Sequence, residues 1–238
     1  IIYAQNTKPL YQLPEKASAN AEAQGEADIF LVGSDSGLFK VTSSNIVIPL
    51  WTEARVDQIV KVKMPAFIGN SIAGSKEAWF LRTQKGLFYT EDLKTFIEKD
   101  NGLPFLTIKK YDGKETTLVK QIQELKDFCV NPLNNSQMVT ATKDSVYYSS
   151  DGGDSWTSLG SMSKTTPGVK AVAIATFEGE TVVFMTHPIF GLSYIMPDKP
   201  KAMWNDVENG FLKMQSLSSP DEIADMLPVL RTNADGSQ

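Results

Sequence analysis

The feature that most constrains this chain is a pattern that recurs four times along it. Each copy has an apolar strand, a tight turn, a short strand that carries an aromatic residue, and a polar turn that leads to a Trp or Phe. The residues at the tight turns are Gly37, Gly86, Ser145 and Gly191, so the intervals are 49 (86 − 37), 59 (145 − 86) and 46 (191 − 145) residues. The pattern therefore predicts several similar units rather than one large sheet.

An upstream apolar segment would bring each unit to four strands. Such segments occur at 59–62, 128–130 and 169–174 in the second, third and fourth copies. Four short antiparallel strands per unit, repeated every 40 to 50 residues or so, are typical of the blades of a β-propeller. We therefore predict an all-β fold, a β-propeller of four-stranded antiparallel blades. Four blades are visible, and the length is compatible with a ring of four or five blades or with part of a larger ring.

The longest interval between copies contains an insertion. Residues 105–121 have two apolar arms, 106–108 and 117–119, on either side of Asp112 and Gly113. An Asp-Gly pair between two such arms is typical of a hairpin turn, so we expect an inserted β-hairpin here. Helices are expected to be scarce, with a single turn at 121–126 and a C-terminal helix that begins at Ser219.

The pattern divides the chain into three segments. Residues 1–27 are rich in Ala, Glu and Gln and are predicted to form an N-terminal tether or a strand that closes the ring. Residues 28–211 carry the blades. Residues 212–238 are predicted to contain the C-terminal helix and a polar tail that could lead to a further domain.

The third copy ends in a motif that has a known counterpart. Its residues follow the order Ser-x-Asp-x-Gly-x-Ser-Trp, at Ser149, Asp151, Gly153, Ser155 and Trp156. This order resembles the Asp-box, or bacterial neuraminidase repeat (BNR), of sialidase-like propellers, and 90–96 is similar to a shorter copy. We expect a structural role, because a turn carboxylate accepts hydrogen bonds from its own amides and an indole ring packs between sheets. Trp51, Phe96 and Trp204 are predicted to close the other blades.

The resemblance suggests a sialidase, but the residues that such an enzyme needs are missing. In that family three arginines hold the substrate carboxylate, and the first lies in an Arg-Ile-Pro segment. This chain has three arginines, at 55, 82 and 231, and none precedes Ile-Pro. We therefore predict no catalytic residues and expect that the chain is not an enzyme; if it were one, it would be a glycoside hydrolase.

Two side chains are candidates for ligand binding. Arg82 lies on a predicted strand, where we expect its stem to pack on aromatic residues and its guanidinium to reach the surface. His187 is the sole histidine and comes at the end of a predicted strand, just before a proline. Residues at strand ends often carry function, although a lone histidine there is more often structural.

Composition excludes several classes of site. The chain has 23 basic and 28 acidic side chains and a net charge of −5, which disfavours nucleic-acid binding. One cysteine, Cys129, and one histidine are too few for a disulfide within the chain or a zinc site. No apolar run approaches the roughly 18 residues of a membrane helix. We predict no metal, no cofactor and no membrane span, and interpret Lys109 and Lys110 as a solvated strand edge.

These observations favour a non-catalytic, extracytoplasmic β-propeller that acts as a binding or scaffold module for a protein or glycan ligand. The resemblance implies this role, because some Asp-box propellers are receptors or assembly scaffolds. Residues 1–5 also resemble the end of a signal peptide, which would make the chain periplasmic, envelope-associated or secreted. The alternative is an accessory or partial domain of a larger glycoside hydrolase of the cell envelope, with further domains on the same polypeptide.

Overall fold

Every regular element that the computed structural model describes is a β-strand. It describes residues 11–13, 29–42, 46–68, 71–111, 113, 115–161, 168–187, 191–206 and 226. The strands in these residues form four four-stranded antiparallel sheets and one two-stranded hairpin. In each four-stranded sheet the strands lie side by side in chain order. The predictions of an all-β chain and of four-stranded antiparallel sheets are confirmed.

The chain divides into two compact units, 1–98 and 99–238. The first unit contains sheets I and II. Sheet I consists of β1 (Tyr11–Leu13), β2 (Ile29–Ser34), β3 (Gly37–Val41) and β4 (Val47–Trp51). Sheet II consists of β5 (Val56–Ile68), β6 (Ser71–Thr83), β7 (Gly86–Thr90) and β8 (Ile97–Glu98). The strands β5 and β6 are much longer than the apolar segments that predicted them, because their pairing continues to Ile68 and Ser71.

The second unit contains the inserted hairpin and sheets III and IV. The hairpin consists of β9 (Phe105–Tyr111) and β10 (Thr116–Ile122), which confirms the predicted insertion. Sheet III consists of β11 (Leu125–Val130), β12 (Met138–Thr142), β13 (Ser145–Ser149) and β14 (Thr157–Ser161). Sheet IV consists of β15 (Ala171–Phe177), β16 (Glu180–His187), β17 (Gly191–Ile195) and β18 (Asn205–Asp206).

The recurring turn residues occupy equivalent places in the four sheets. Gly37, Gly86, Ser145 and Gly191 are each the first residue of the third strand. The helical turn expected at 121–126 is wrong, since Ile122 ends β10 and Leu125 begins β11. The C-terminal helix from Ser219 lies outside the described residues. Of the predicted N-terminal segment only Tyr11–Leu13 is described; it forms β1, the first strand of sheet I, and pairs with Ile29–Leu31 of β2.

Each unit has its own hydrophobic core. The core of the first unit joins side chains from sheets I and II around two buried indoles. Its buried members are Leu31, Leu38, Trp51, Val56, Trp79, Leu81 and Phe88. The core of the second unit joins sheets III and IV, and its fully buried members include Val139, Ala141, Val172, Ile174 and Met185. Apolar burial of this kind is the main force that holds successive sheets together.

A buried carboxylate also joins sheets III and IV. Asp127 is 2% exposed. Its Oδ1 accepts a hydrogen bond from the backbone N–H of Phe128 at 2.8 Å, and its Oδ2 accepts one from the N–H of Val172, on β15, at 3.0 Å. A buried N–H that loses its acceptor keeps its full desolvation cost. Asp127 therefore fixes the first strand of sheet III against the first strand of sheet IV.

Asp127→Ala should destabilise the second unit by about 3 kcal/mol, because it leaves two buried N–H groups without acceptors. Asp127→Asn should cost about half as much, since the amide keeps one acceptor oxygen. Urea unfolding followed by Trp fluorescence measures both, with the exposed turn residue Asp35, as Asp35→Ala, for the control. Equal effects of all three substitutions would contradict this role for Asp127.

Candidate functional site

The turn that resembles an Asp-box is held by its own side chains. Ser149 ends β13, and its Oγ donates to Asp151 Oδ1 at 2.8 Å and accepts from the N–H of Gly153 at 2.9 Å. Ser155 donates to Asp151 twice, from its N–H to Oδ1 at 3.0 Å and from its Oγ to Oδ2 at 2.5 Å. The structure thus brings together four of the five motif residues in one network, and the fifth, Trp156, follows directly.

These hydrogen bonds determine the ionisation of Asp151. Burial acts to raise the pKa of the Asp151 carboxyl, but the donors from Ser155 and Ser149 outweigh it and hold the pKa below its usual value. A carboxylate that accepts bonds from its own turn is committed to that turn. It is poorly placed to act as an acid, a base or a ligand.

The turn after β7 repeats this arrangement without the full motif. The N–H groups of Lys94 and Thr95 donate to Asp92 Oδ1, both at 2.8 Å, and they lower the pKa of that carboxyl. The N–H of Leu93 donates to Thr90 Oγ1 at 2.9 Å, as that of Gly153 does to Ser149. Leu93 has a φ of 57° where Gly153 has 85°, so this turn forms even where a side chain opposes it.

Trp156 is fixed by a loop at the start of the second unit. Its indole Nε1–H donates to the carbonyl of Lys99 at 2.8 Å, and its backbone N–H donates to the carbonyl of Asn101 at 2.9 Å. Gly102 has a φ of 92°, and a Cβ there would lie 2.2 Å from the Trp156 carbonyl oxygen. Lys99 also pairs with Asp154. The loop and the indole therefore hold each other in place.

The other aromatic residues predicted to close blades do not all lie in one position. Phe96 and Trp204 directly precede the fourth strands β8 and β18, as Trp156 directly precedes β14. Trp204 donates its indole N–H to the carbonyl of Leu159, in the outer strand of sheet III, at 2.9 Å. Trp51 instead ends β4 and pairs with Leu38, because the turn from β3 to β4 contains no aromatic residue. It packs on Phe88 with ring centroids 5.0 Å apart.

Arg82 lies in the first unit, with its guanidinium held inside sheet II. Its Nε donates to Gln58 Oε1 at 3.1 Å, and its Nη1 lies 3.8 Å from Asp57 Oδ2. Arg55 approaches the same carboxylate, with Nε 2.7 Å from Asp57 Oδ1. The Arg82 side chain is only 12% exposed, so the expected surface position of its head is corrected. The acceptors that hold the Arg82 guanidinium lie on β5. The sequence did not show that β5 pairs with β6 in the register that places Gln58 opposite Arg82.

His187 lies in the second unit and ends β16, where it pairs with Gly191. Its exposed fraction is 2%, so the ring is not presented to a ligand. Cys129 is also buried. Among the residues that the structure describes, no group of three or more His, Cys, Asp and Glu side chains could hold a metal ion. Arg231, the third arginine, lies outside the described part of the chain.

In the described part of the second unit, exposed apolar side chains are concentrated on the hairpin β9–β10, which we call the arm. Every residue of β9 and all but the last of β10 are exposed. Its exposed apolar side chains are Phe105, Leu106, Ile108, Tyr111, Leu118 and Val119. Leu106, Ile108 and Val119 lie on one face and the others on the opposite face, because side chains alternate along a strand. A two-stranded hairpin with both faces in water is marginally stable on its own.

The arm differs in charge from the rest of the chain. Residues 105–122 hold four lysines and two acidic residues, a net charge of +2 (4 − 2), whereas the whole chain has −5. Lys120 lies over the ring of Phe105, with Nζ 4.2 Å from the centroid. The base of the arm is fixed by the buried Leu103 and Ile122 and by the bond from Gln123 N–H to the Pro104 carbonyl at 2.9 Å. The arm is thus a basic and apolar projection on a rigid base.

Sequence reasoning identified the inserted hairpin but did not identify its surface as a site. Lys109 and Lys110 were expected to be solvated, and both are exposed. The missed signal was the number of strands. An insertion of only two strands leaves its apolar residues at 106, 108, 118 and 119 exposed unless another layer packs on each face.

Comparisons with known proteins do not assign the chain to a family. No family model matches it, and no curated protein matches it. Among solved structures, it is similar to the crystal structure of an ancestral GH74 enzyme, with 15% sequence identity and a TM-score of 0.26. The match covers 76% of this chain and 28% of the enzyme, so the chain spans less than a third of that protein. A likeness this weak does not define how the sheets are arranged or what the chain does.

One prediction concerns pH and the Asp151 turn. Because the pKa of Asp151 is lower in the folded chain than in the unfolded chain, its carboxylate contributes stability at neutral pH. That stability is lost as the pH falls through the lowered folded-state pKa. Asp151→Asn should therefore cost about 1 kcal/mol or less at pH 7, since solvent screens the turn. The difference from the unsubstituted chain should narrow between pH 6 and pH 3, as measured by urea unfolding. The control Asp35→Asn removes a charge from an exposed turn, and an identical pH profile for it would contradict the assignment.

A second prediction uses two glycines with nearly the same backbone conformation. Gly102 and Gly113 have φ of 92° and 95°, but nothing lies within 4 Å of a Cβ at Gly113. Gly113→Ala should cost about 1 kcal/mol for the left-handed conformation alone. Gly102→Ala should cost about 1–3 kcal/mol more, because its Cβ would overlap the Trp156 carbonyl. Urea unfolding measures both, and equal costs would show that the loop does not hold Trp156 tightly.

Proposed function

We propose that this chain is a non-catalytic β-propeller module that binds a protein partner outside the cytoplasm, and that the arm is its contact surface. The single observation that carries the proposal is the arm itself. Its apolar side chains are exposed on both faces, its base is fixed by buried residues, and it is inserted between two repeats. Exposed apolar patches on otherwise well-packed chains mark interaction sites.

The propeller arrangement is supported by the repeat. Four antiparallel meanders follow one another in the chain, and their third strands begin at Gly37, Gly86, Ser145 and Gly191. In the second unit, sheet IV donates the Trp204 indole N–H to sheet III. Meanders that pack face to face in succession are the units from which propellers are built. A crystal structure in which the four sheets do not surround one axis would overturn this part of the proposal.

A binding role is favoured over catalysis by how the charged candidates are used. The carboxylates of Asp151 and Asp92 are committed to their own turns, and the Arg82 guanidinium is held by Gln58 and Asp57. A catalytic group must instead reach a substrate atom. In contrast to these charged groups, the apolar and basic side chains of β9 and β10 other than Ile122 are exposed to solvent and can contact a partner.

Site-specific photo-crosslinking in the cells that produce the chain tests this function. A photoreactive residue at Leu118, which is 68% exposed, should crosslink a protein that the same group at Leu133, 44% exposed, does not. The partner is then purified, and its binding to the full chain is measured by calorimetry. The double variant Leu106→Ser and Leu118→Ser should weaken binding by about tenfold or more, because contact surfaces depend on a few apolar anchors.

Three outcomes would overturn the proposal. The first is a partner that crosslinks equally at both positions, and the second is binding that the double variant leaves unchanged while its Trp fluorescence shows a native fold. The third is turnover of chromogenic glycosides by the purified chain, abolished by substitution of a carboxylate. That result would favour the glycoside hydrolase alternative instead.

A further inference from the structure

We propose that the free edge of β9 binds an extended acidic segment of a protein partner as an added β-strand. This inference rests on the proposed function, because it assigns a binding mode and a partner chemistry to the same arm. It goes further by specifying that backbone hydrogen bonds, together with two carboxylates on the partner, make the contact.

The arm has an edge that is ready to pair. In the part of the chain that the structure describes, β9 and β10 pair only with each other, from Phe105–Ile122 to Tyr111–Thr116. Half of the backbone N–H and C=O groups of β9 therefore point away from β10. An unpaired row of such groups is a template for another strand, and several protein families recognise extended peptides in this way.

The edge of β9 carries two exposed lysines. Lys109 and Lys110 are adjacent, so their side chains lie on opposite faces of the strand. Neither ammonium forms a salt bridge with any residue in the described ranges. Lys120, the lysine of β10, lies over the Phe105 ring instead. A strand added beside β9 would meet one unpaired ammonium on each face.

This arrangement defines the chemistry of the partner segment. Two adjacent acidic residues would place one carboxylate on each face, opposite Lys109 and Lys110. β-Branched residues on both sides of this pair would pack on Leu106 and Ile108 on one face and on Tyr111 on the other. The predicted ligand is therefore an extended segment with an acidic pair inside an apolar stretch.

Charge and shape favour this occupant over two others. A second copy would bring Lys109 and Lys110 close to the same lysines, and like charges across a strand pair are destabilising. A lipid surface would cover one face of the arm, whereas apolar side chains lie on both. A strand added at the edge extends both faces at once.

The test uses a synthetic peptide, acetyl-Thr-Val-Thr-Glu-Glu-Val-Thr-Val-amide with a fluorescent label, and the full chain. Fluorescence anisotropy should show saturable binding that weakens as salt is added, because the charges are exposed. The same peptide with Lys in place of both Glu should bind about tenfold more weakly or worse. Two further peptides carry N-methyl groups at every second residue, and the two sets of methylated positions differ by one residue. The peptide whose methyl groups replace the N–H groups that face β9 should not bind, whereas the other should bind, since only alternate N–H groups face β9.

Matched variants of the chain complete the experiment. Lys109→Glu with Lys110→Glu should weaken binding of the acidic peptide by about tenfold and favour the lysine peptide. The control is Lys94→Glu with Lys201→Glu, two exposed lysines outside the arm, which should leave binding unchanged. Native Trp fluorescence confirms folding in each case.

Each alternative result overturns the inference. It fails if the acidic peptide does not bind, if the two N-methylated peptides bind equally, or if the arm and control variants bind the acidic peptide with the same affinity. It also fails if the chain dimerises through the arm in sedimentation velocity, or binds phosphatidylglycerol vesicles but not the peptide. If the Leu106→Ser, Leu118→Ser variant binds the crosslinked partner weakly but the peptide does not bind the full chain, the proposed function is supported and binding by strand addition is ruled out.

Discussion

The structure depends on one constraint: a four-stranded meander buries its faces only against another sheet. Within the second unit, sheets III and IV meet this constraint with a shared apolar core and with hydrogen bonds that cross between them, of which two are described above. One runs from the Trp204 indole to the Leu159 carbonyl, and the other from the Val172 N–H to Asp127. Apolar packing is not directional, so these polar contacts define which strand lies against which.

The same logic explains why the turn motif matters. The hydrogen bonds around Asp151 shape the turn that delivers Trp156 to the loop 99–102. The turn around Asp92 has the same bonds although its sequence lacks the glycine and places Leu93 at a positive φ. The carboxylate and the hydroxyl are therefore the essential parts of the turn, and the glycine reduces its strain.

Much of this fold could be predicted because its contacts are local. Consecutive strands pair with each other, so alternating apolar residues and turn residues such as Gly86 and Ser145 were enough to locate sheets II to IV and the hairpin. The aromatic pattern was less informative. Trp51 matches the other residues predicted to close blades in type, but it lies at the opposite end of its strand. Sequence order alone does not show at which end of a strand such a residue lies.

The candidate site was harder to predict for the same reason. Which side chains remain exposed depends on what packs beside them, and this is a property of the whole sheet rather than of one segment. The buried position of Arg82 follows from the register of β5 and β6, which the short apolar segments did not define. The arm could be located but not interpreted, since Leu106 and Leu118 would have been core residues if another sheet had packed on each face of the hairpin.

In the arm, the residues proposed to bind a partner are different from the residues that stabilise the fold. Its outward residues contribute nothing to either hydrophobic core, and its attachment depends on Leu103 and Ile122 at its base. Substitutions of the exposed side chains of β9 and β10 can therefore accumulate with little effect on folding. Related chains could keep one scaffold while this short ribbon diverges rapidly, so the segment that varies most among them would be the one that sets what each chain recognises.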